Sequence, residues 1–401
     1  MQTPLTPQIS LIGERGRAVT PSLIEDAFTE IEGAGDGLIV LAEGTPMPEE
    51  LPARELAEVL GSAVSQPKGL DYGWARGEAV LLEQVARFFD MIGVPRRPAV
   101  VVGGATQGMF LAMYTLASPG DTVLTDSATY SDALSCFASL GLRPIGVEDD
   151  DQGMVPEALD RAIVDERAAG RRPAAIYMIP TAHNPLGMTL NAERRAALVE
   201  VARQHGVAIV EDETYALFDG AEVPRLSALA PELVVRLDSL SKVLGPGLRL
   251  GWVSGPDEVL ARVNQLKAAV DVCAPVPLQR AVATLLPEIR DLAAPQLRGL
   301  EGRRAALLGS LDEHFGGLCH WTRPSGGYFV WMDLCGRCSG LDLFRAGLKA
   351  GVAVLPGAIF SPRRVDTAVR LGCANRTPAE VREGVARLRR AYDALLSGGT
   401  A

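Results

Sequence analysis

Only four of the 39 lysine and arginine residues are lysines, and one of the four, Lys242, stands in a setting suited to chemistry. Residues 237–252 read Leu-Asp-Ser-Leu-Ser-Lys-Val-Leu-Gly-Pro-Gly-Leu-Arg-Leu-Gly-Trp. An apolar strand (Leu233 to Leu237) runs into two serines and the lysine, a Gly-Pro-Gly turn follows, and Arg249 begins the next strand. A lysine amine forms a Schiff base with a carbonyl, and an aldehyde cofactor such as pyridoxal phosphate needs such an amine. The hydroxyls of Ser239 and Ser241 and the guanidinium of Arg249 are donors that a phosphate takes, arginine bidentately. A bare Ser-x-x-Lys would equally describe a surface lysine after a strand, so the remaining polar groups decide.

Residues 211–215, Glu-Asp-Glu-Thr-Tyr, follow the apolar run 207–210. A carboxylate at the carboxyl end of a parallel strand faces the crevice where such sheets bind ligands. Asp212 there suits a protonated pyridine nitrogen, the pairing that keeps a pyridoxal ring an electron sink, and Tyr215 suits the ring oxygen. Taken alone, Asp212 is as well explained as a cap. Asn184, in the loop 180–187 after the run 174–179, offers an amide donor, although a turn asparagine would look the same. Residues 103–108, Gly-Gly-Ala-Thr-Gln-Gly, follow another strand and open a helix, so the amides of Ala105 and Thr106 can close on an anion. The spacing is that of neither a Walker loop nor a clear dinucleotide fingerprint. Tyr130 could stack on a flat ring or serve the core.

The elements that position these groups alternate. Strands are expected at 100–103, 122–125, 174–179, 207–211, 234–237 and 250–253, with helices between them at 107–116, 130–140, 192–204 and 258–270. Short apolar strands with helical crossovers imply an α/β fold with a mostly parallel sheet covered on both faces. After about residue 290 the texture changes to a long helix (292–315), the run 326–332, strands at 352–355 and 368–373, and a helix opened by Thr377-Pro-Ala-Glu380 as a capping box. That is a smaller α+β domain.

Composition narrows the classes. A net charge of −10 argues against a nucleic-acid or anionic-membrane surface. No apolar run is long enough to span a bilayer, and residues 1–17 lack the pattern of a signal peptide, so a cytoplasmic protein is expected. The six cysteines do not form a disulfide framework, and Cys335-Gly-Arg-Cys338 lacks a second pair at zinc spacing. A turn, and no metal, is expected there.

Residues 103–107, Tyr130, His183-Asn-Pro185, Asp212-x-x-Tyr215, Ser239-x-Ser-Lys242 and Arg249 stand in the order found in fold-type I pyridoxal-phosphate-dependent aminotransferases of class I/II, and residues 38–395 resemble that family. Further matches are residues 43–46, Tyr72-Gly73, Pro324-Ser-Gly-Gly-Tyr-Phe329, Val354-Leu-Pro-Gly357 and Val369-Arg-Leu371. The resemblance implies a large cofactor-binding domain (46–290) with a mostly parallel seven-stranded sheet, a small α+β domain (291–401), and an N-terminal arm (1–45) contributing to the small domain and the dimer contact.

It also implies roles. Lys242 would carry the Schiff base and move the proton from substrate Cα; Asp212 would hold the pyridine nitrogen, Asn184 and Tyr215 the ring oxygen, and Tyr130 the ring face. Ala105, Thr106, Ser239, Ser241 and Arg249 would cup the phosphate, with Tyr72 reaching the phosphate of a neighbouring subunit in a homodimer. Arg370 would clamp the substrate carboxylate beside Gly44 and Asn184, a role that suits a planar fork. The expected reaction is ping-pong transfer of an amino group between an L-α-amino acid and a 2-oxo acid. His183, Leu186 and Trp74 depart from the family pattern near the cofactor or substrate mouth, which leaves elimination, cyclisation or oxidation of an amino acid as the alternative on the same scaffold. His183 is expected to pack behind the site and not to act as a base. A ligand-sensing transcription regulator would need a basic winged-helix domain before residue 44, and the first forty residues carry no basic helix pair.

Overall fold

Several buried runs carry no polar alternation: Ala99–Val102, Thr122–Asp126, Pro173–Met178 and Ala208–Asp212. Such runs fit strands covered on both faces. The computed structural model describes residues 11–13, 16–17, 19, 22–35, 37–219 and 222–398. Much of the leader-free start expected at 1–17, and part of the arm at 1–45, fall outside these.

Helix α1 (Leu23–Gly33) leads to a two-residue strand β1 (Ile39–Val40), then α2 (Ala53–Ser65) and α3 (Ala79–Met91). Next come β2 (Ala99–Val102), α4 (Ala105–Leu116), β3 (Thr122–Asp126), α5 (Ser131–Ser139), β4 (Arg143–Val147), α6 (Pro156–Ala168), β5 (Pro173–Met178), α7 (Ala192–His205) and β6 (Ala208–Asp212). A single turn α8 (Leu226–Leu229) precedes β7 (Val234–Ser239) and β8 (Gly251–Ser254), followed by α9 (Asp257–Asp271) and α10 (Val276–Leu285). Then come α11 (Ile289–Phe315), β9 (His320–Trp321), β10 (Phe329–Asp333), α12 (Gly340–Lys349), β11 (Val352–Ala353), β12 (Leu355–Pro356), β13 (Ala368–Gly372) and α13 (Pro378–Leu396).

Seven strands form one sheet in the order β2-β8-β7-β6-β5-β3-β4, in which β8 alone runs against the rest. Alternate residues serve opposite faces. Val100, Val102, Leu237 and Val253 pack with α4 on one side, while Val101 and Trp252 join Val85, Phe88 and Leu278 on the other. A four-stranded antiparallel sheet, β9-β10-β13-β12, carries the C-terminal part. The strand expected at 352–355 divides in two: β11 pairs with β1, whereas β12 pairs with β13. Arg249 does not begin the following strand; it sits two residues before β8 in a left-handed conformation at φ +50°. Helix α13 opens with the expected capping box of Thr377 and Glu380. Cys335 and Cys338 lie in the turn after β10 as free thiols.

Helix α4 lies close to the sheet because Gly108 has no side chain. A Cβ there would sit 2.8 Å from Val253 Cγ2 and 3.4 Å from Leu237 Cδ2 and Val102 Cγ2. Gly108→Val is expected to force α4 off the sheet and cost about 1–3 kcal/mol, as overpacking of a filled interior does, which denaturant unfolding would measure.

Candidate active site

The parallel strands end at one edge, and a cavity of about 360 Å³ opens there. Gly44, Ala105, Thr106, Tyr130, Asn184, Asp212, Tyr215, Ser239, Ser241, Lys242, Arg249 and Arg370 all line it. Tyr72 does not; its side chain is 89% exposed.

Asp212, the last residue of β6, is buried, and each carboxylate oxygen is held. Tyr177 on neighbouring β5 donates its hydroxyl to Oδ2 at 2.8 Å, and Thr214 donates to Oδ1 through its backbone N–H (3.1 Å) and hydroxyl (2.7 Å). Burial pushes the carboxyl up, and the Thr214 and Tyr177 donors pull it back. A cation set against it would favour the ionised form further.

Opposite stands an anion cradle. Gly104 caps α4 at φ +85° with no side-chain acceptor, so the first amides of that helix point out with the positive end of its dipole. The φ of +85° at Gly104 is one that other residues rarely adopt, and a Cβ there would lie 2.7 Å from Arg249 Nη2, so a side chain would also displace the guanidinium from the helix end. Arg249 donates to Ser241 Oγ at 3.3 Å, and Ser241 Oγ lies 3.1 Å from Ser239 Oγ. Amides, two hydroxyls and a guanidinium at one end, with a carboxylate at the other, fit the phosphate and pyridine nitrogen of pyridoxal phosphate.

Lys242 lies between. Its Nζ donates to the Gly44 carbonyl at 2.7 Å and sits 5.4 and 5.9 Å from the Tyr215 and Tyr328 ring centroids. Burial and the positive charge of Arg370 push its amine down to about 8, with Asp212 opposing. The result is an amine with a substantial nucleophilic fraction near neutral pH. Tyr215 is fully buried and burial drives its hydroxyl above the ordinary range, so it remains a donor.

Arg370, on β13, is buried with its guanidinium between two rings, 4.1 Å from the Phe329 centroid and 4.6 Å from that of Phe360. It donates to Asn184 Oδ1 (2.7 Å) and the Ala42 carbonyl (2.6 Å). Burial pushes it down to about 10, which leaves it a cation at neutral pH. A Cβ on Gly44 would lie 2.7 Å from Phe329 Cζ, so a side chain there would displace the ring that packs on Arg370.

His183 is buried behind this wall. Its Nδ1 accepts from the Leu186 amide at 3.2 Å, which leaves the proton on Nε2 to be donated to Asp126 at 3.1 Å. Residues not anticipated as contributors also line the cavity: Ile24 and Phe28 of α1, Glu43, Asp132 and Phe329. Tyr177 supports Asp212 from 35 residues away. Its signal was only a tyrosine inside an apolar strand, which reads as core.

Fold and cavity together define a pyridoxal-phosphate-dependent transferase of fold type I. Residues 36–388 match the model of the family aminotransferase class I and II. The chain is 32% identical over 372 residues to the 2-aminoadipate transaminase of Thermus thermophilus, covering 90% of this chain and 91% of that one. An archaeal alanine:glyoxylate aminotransferase superposes with a TM-score of 0.90 at 30% identity over 95% of this chain and 98% of its own. The kynurenine aminotransferase of Pyrococcus horikoshii, solved with PMP, gives 0.91 at 26% identity over 96% and 98%. The chain belongs to the class I and II aminotransferase family. It is an enzyme that uses pyridoxal phosphate to move an amino group between an amino acid and a 2-oxo acid, and elimination, cyclisation or oxidation is not favoured. Among the described residues no helix is long and apolar enough to cross a membrane.

Because the Lys242 amine is held near 8, its unprotonated fraction rises with pH through that value. The rate at which the cofactor-free protein takes up pyridoxal phosphate, followed by stopped-flow absorbance, is expected to climb with a midpoint near pH 8. In Lys242→Ala that pH-dependent absorbance change should vanish.

Proposed function

We propose that the reaction is ping-pong transamination of L-α-amino acids with Lys242 as both cofactor anchor and proton carrier. The supporting observation is that Lys242, Arg370 and Asp212 line one cavity. When bound, pyridoxal phosphate supplies the electron sink that makes the substrate Cα–H acidic. Arg370 grips the α-carboxylate with its planar fork, and the Phe329 and Phe360 rings hold that fork in place. Asn184 orients Arg370 through its Oδ1 and keeps its amide for the ring oxygen, to which Tyr215 also donates. Lys242 Nζ takes the proton from Cα. Asp212 keeps a negative charge against the pyridine nitrogen; Ala105, Thr106, Ser239, Ser241 and Arg249 hold the phosphate; Tyr130 covers the ring face.

The same reading places the active form as a homodimer in which Tyr72 completes the neighbouring site. Leu70, Tyr72 and Trp74 are 76%, 89% and 81% exposed within five residues, an apolar run that a second copy would cover. The division into an arm (1–45), a large domain (46–290) and a small domain (291–401) belongs to this proposal, supported by the two sheets and by α11 starting at Ile289. A cytoplasmic setting also belongs to it, supported by six free thiols.

Mixing L-amino acids with the holoenzyme is expected to bleach its visible band and release one 2-oxo acid without ammonia; ammonia would overturn the reading. Arg370→Lys should leave the band in place while raising KM about 10–100-fold for every amino acid, since a point charge cannot make the paired contact. If sites are shared, mixing Lys242→Ala with Tyr72→Ala subunits restores about a quarter of the sites in a random dimer population. Unshared sites would gain nothing.

A further inference from the structure

The cavity holds more carboxylate than transamination calls for. Among the described residues its lysine and arginine lining is Lys242, Arg249 and Arg370, and each has a task under the roles proposed above. Its acidic lining is Asp212, Asp132 and Glu43, of which only Asp212 has one. Asp132 Oδ2 accepts the Tyr130 hydroxyl at 2.5 Å. Glu43 Oε2 accepts from Thr45 at 3.2 Å and from Asn375 Nδ2. Among the described residues, Asp132 Oδ1 and Glu43 Oε1 accept no hydrogen bond, and neither oxygen is sealed from the cavity.

Position in the fold accounts for one of the two only in part. Asp132 lies in the first turn of α5, where the helix dipole already favours an anion. Glu43 precedes Gly44 on an extended segment and has no such support. In the same lining, Ile24 and Phe28, one turn apart on α1, and Phe329 give apolar surface that suits a carbon stem. Asp132 lies near enough to Lys242 and Arg370 that its charge helps to keep both protonated, so its field reaches the place where the substrate must sit.

We infer that Asp132 and Glu43 select an L-amino acid whose side chain ends in a cation, and disfavour one ending in a second carboxylate. This rests on the transamination reading and on Arg370 taking the α-carboxylate. A cationic terminus finds two carboxylate oxygens that no protein donor has taken up among the described residues. A carboxylate terminus meets like charge there and, among the described residues, finds no further arginine or lysine in the lining to receive it. Relatives named for 2-aminoadipate, for alanine and glyoxylate, and for kynurenine share the fold, so family membership leaves the side chain open.

L-lysine, L-norleucine and L-2-aminoadipate have the same carbon skeleton and end in an ammonium, a methyl and a carboxylate. With the holoenzyme, kcat/KM is expected to fall in that order, by about tenfold or more from lysine to 2-aminoadipate, the scale of a hydrogen bond to a charged group. Asp132→Asn and Glu43→Gln should each shrink that ratio several-fold, about tenfold at most. Binding of 6-aminohexanoate and adipate to the holoenzyme by calorimetry gives the same comparison without turnover, and 6-aminohexanoate should bind more tightly. A preference for 2-aminoadipate, or a ratio unchanged in both variants, would overturn the inference. If norleucine too yields no 2-oxo acid, the transamination reading fails, while the order of analogue binding still decides this one.

Discussion

The alternation of side chains along a buried strand is the constraint on which much of the site depends. To bring Asp212 into the cavity, β6 must turn its neighbours Glu211 and Glu213 to the other face, and that face is also buried. Two carboxylates in the interior are tolerable only if paired and hydrogen-bonded. Three arginines meet them. Arg236 lies 3.4 Å from Glu211 and grips Asp238 with bonds of 2.7 and 2.8 Å, while Arg225 and Arg195 approach Glu213 at 3.4 and 3.6 Å. Backbone amides of Leu226 and Ser227 and the Thr181 hydroxyl take up remaining oxygens. Three buried carboxylates face three buried arginines in that layer. Asp212 is thereby left as the charge presented to the cavity from this strand.

The same alternation places the phosphate donors. On β7, Arg236 and Asp238 face the ion-pair layer while Ser239 turns toward the cavity, and the chain then bends through Ser241 and Lys242. The left-handed backbone at Arg249 folds the return segment back so that its guanidinium meets Ser241 and the Gly103 carbonyl. The large sheet therefore supplies both ends of the cofactor site. The substrate clamp comes from elsewhere. Arg370 and Phe329 sit on the antiparallel C-terminal sheet, and Arg370 reaches back to Asn184 and Ala42. Any shift between the two sheets would move the carboxylate clamp relative to the lysine, and the geometry of proton transfer depends on that distance.

What was legible in the sequence follows from how locally each feature is encoded. Ala99–Val102 and Pro173–Met178 are continuous apolar runs, and a doubly covered strand needs little else. The edge strand β4 is different. Arg143-Pro-Ile-Gly-Val147 contains a proline and a glycine, has an exposed end, and lacks the apolar run that marks the others. Arg370 is a lone charge inside the apolar run Ala368–Gly372, and Lys242, Arg249 and Asp212 stand at strand ends and turns, where a polar residue draws notice. The partners that tune them do not. Tyr177 is an interior residue of β5, and Arg195, Arg225 and Arg236 look like ordinary charges until the fold sets them against Glu211, Glu213 and Asp238. Asp132 has the look of a first-turn helix residue. That it also lines the cavity follows only from the way α5 starts after β3.

Burial acts on the two working cations in the same direction but with different consequences. Lys242 and Arg370 are both deep in the protein, where losing water loosens the hold of each on its proton, and the charge of Arg370 loosens the lysine's further. An ammonium begins near 10.5, so the loss brings it to about 8, where it can act as nucleophile and base. A guanidinium begins higher, and the same kind of loss leaves it at about 10, still a cation able to bind a carboxylate. Exchanging the two types would give a clamp that loses its charge and an anchor that never frees its lone pair. The choice of lysine for one role and arginine for the other is therefore imposed by the desolvation that the shared cavity exacts from both.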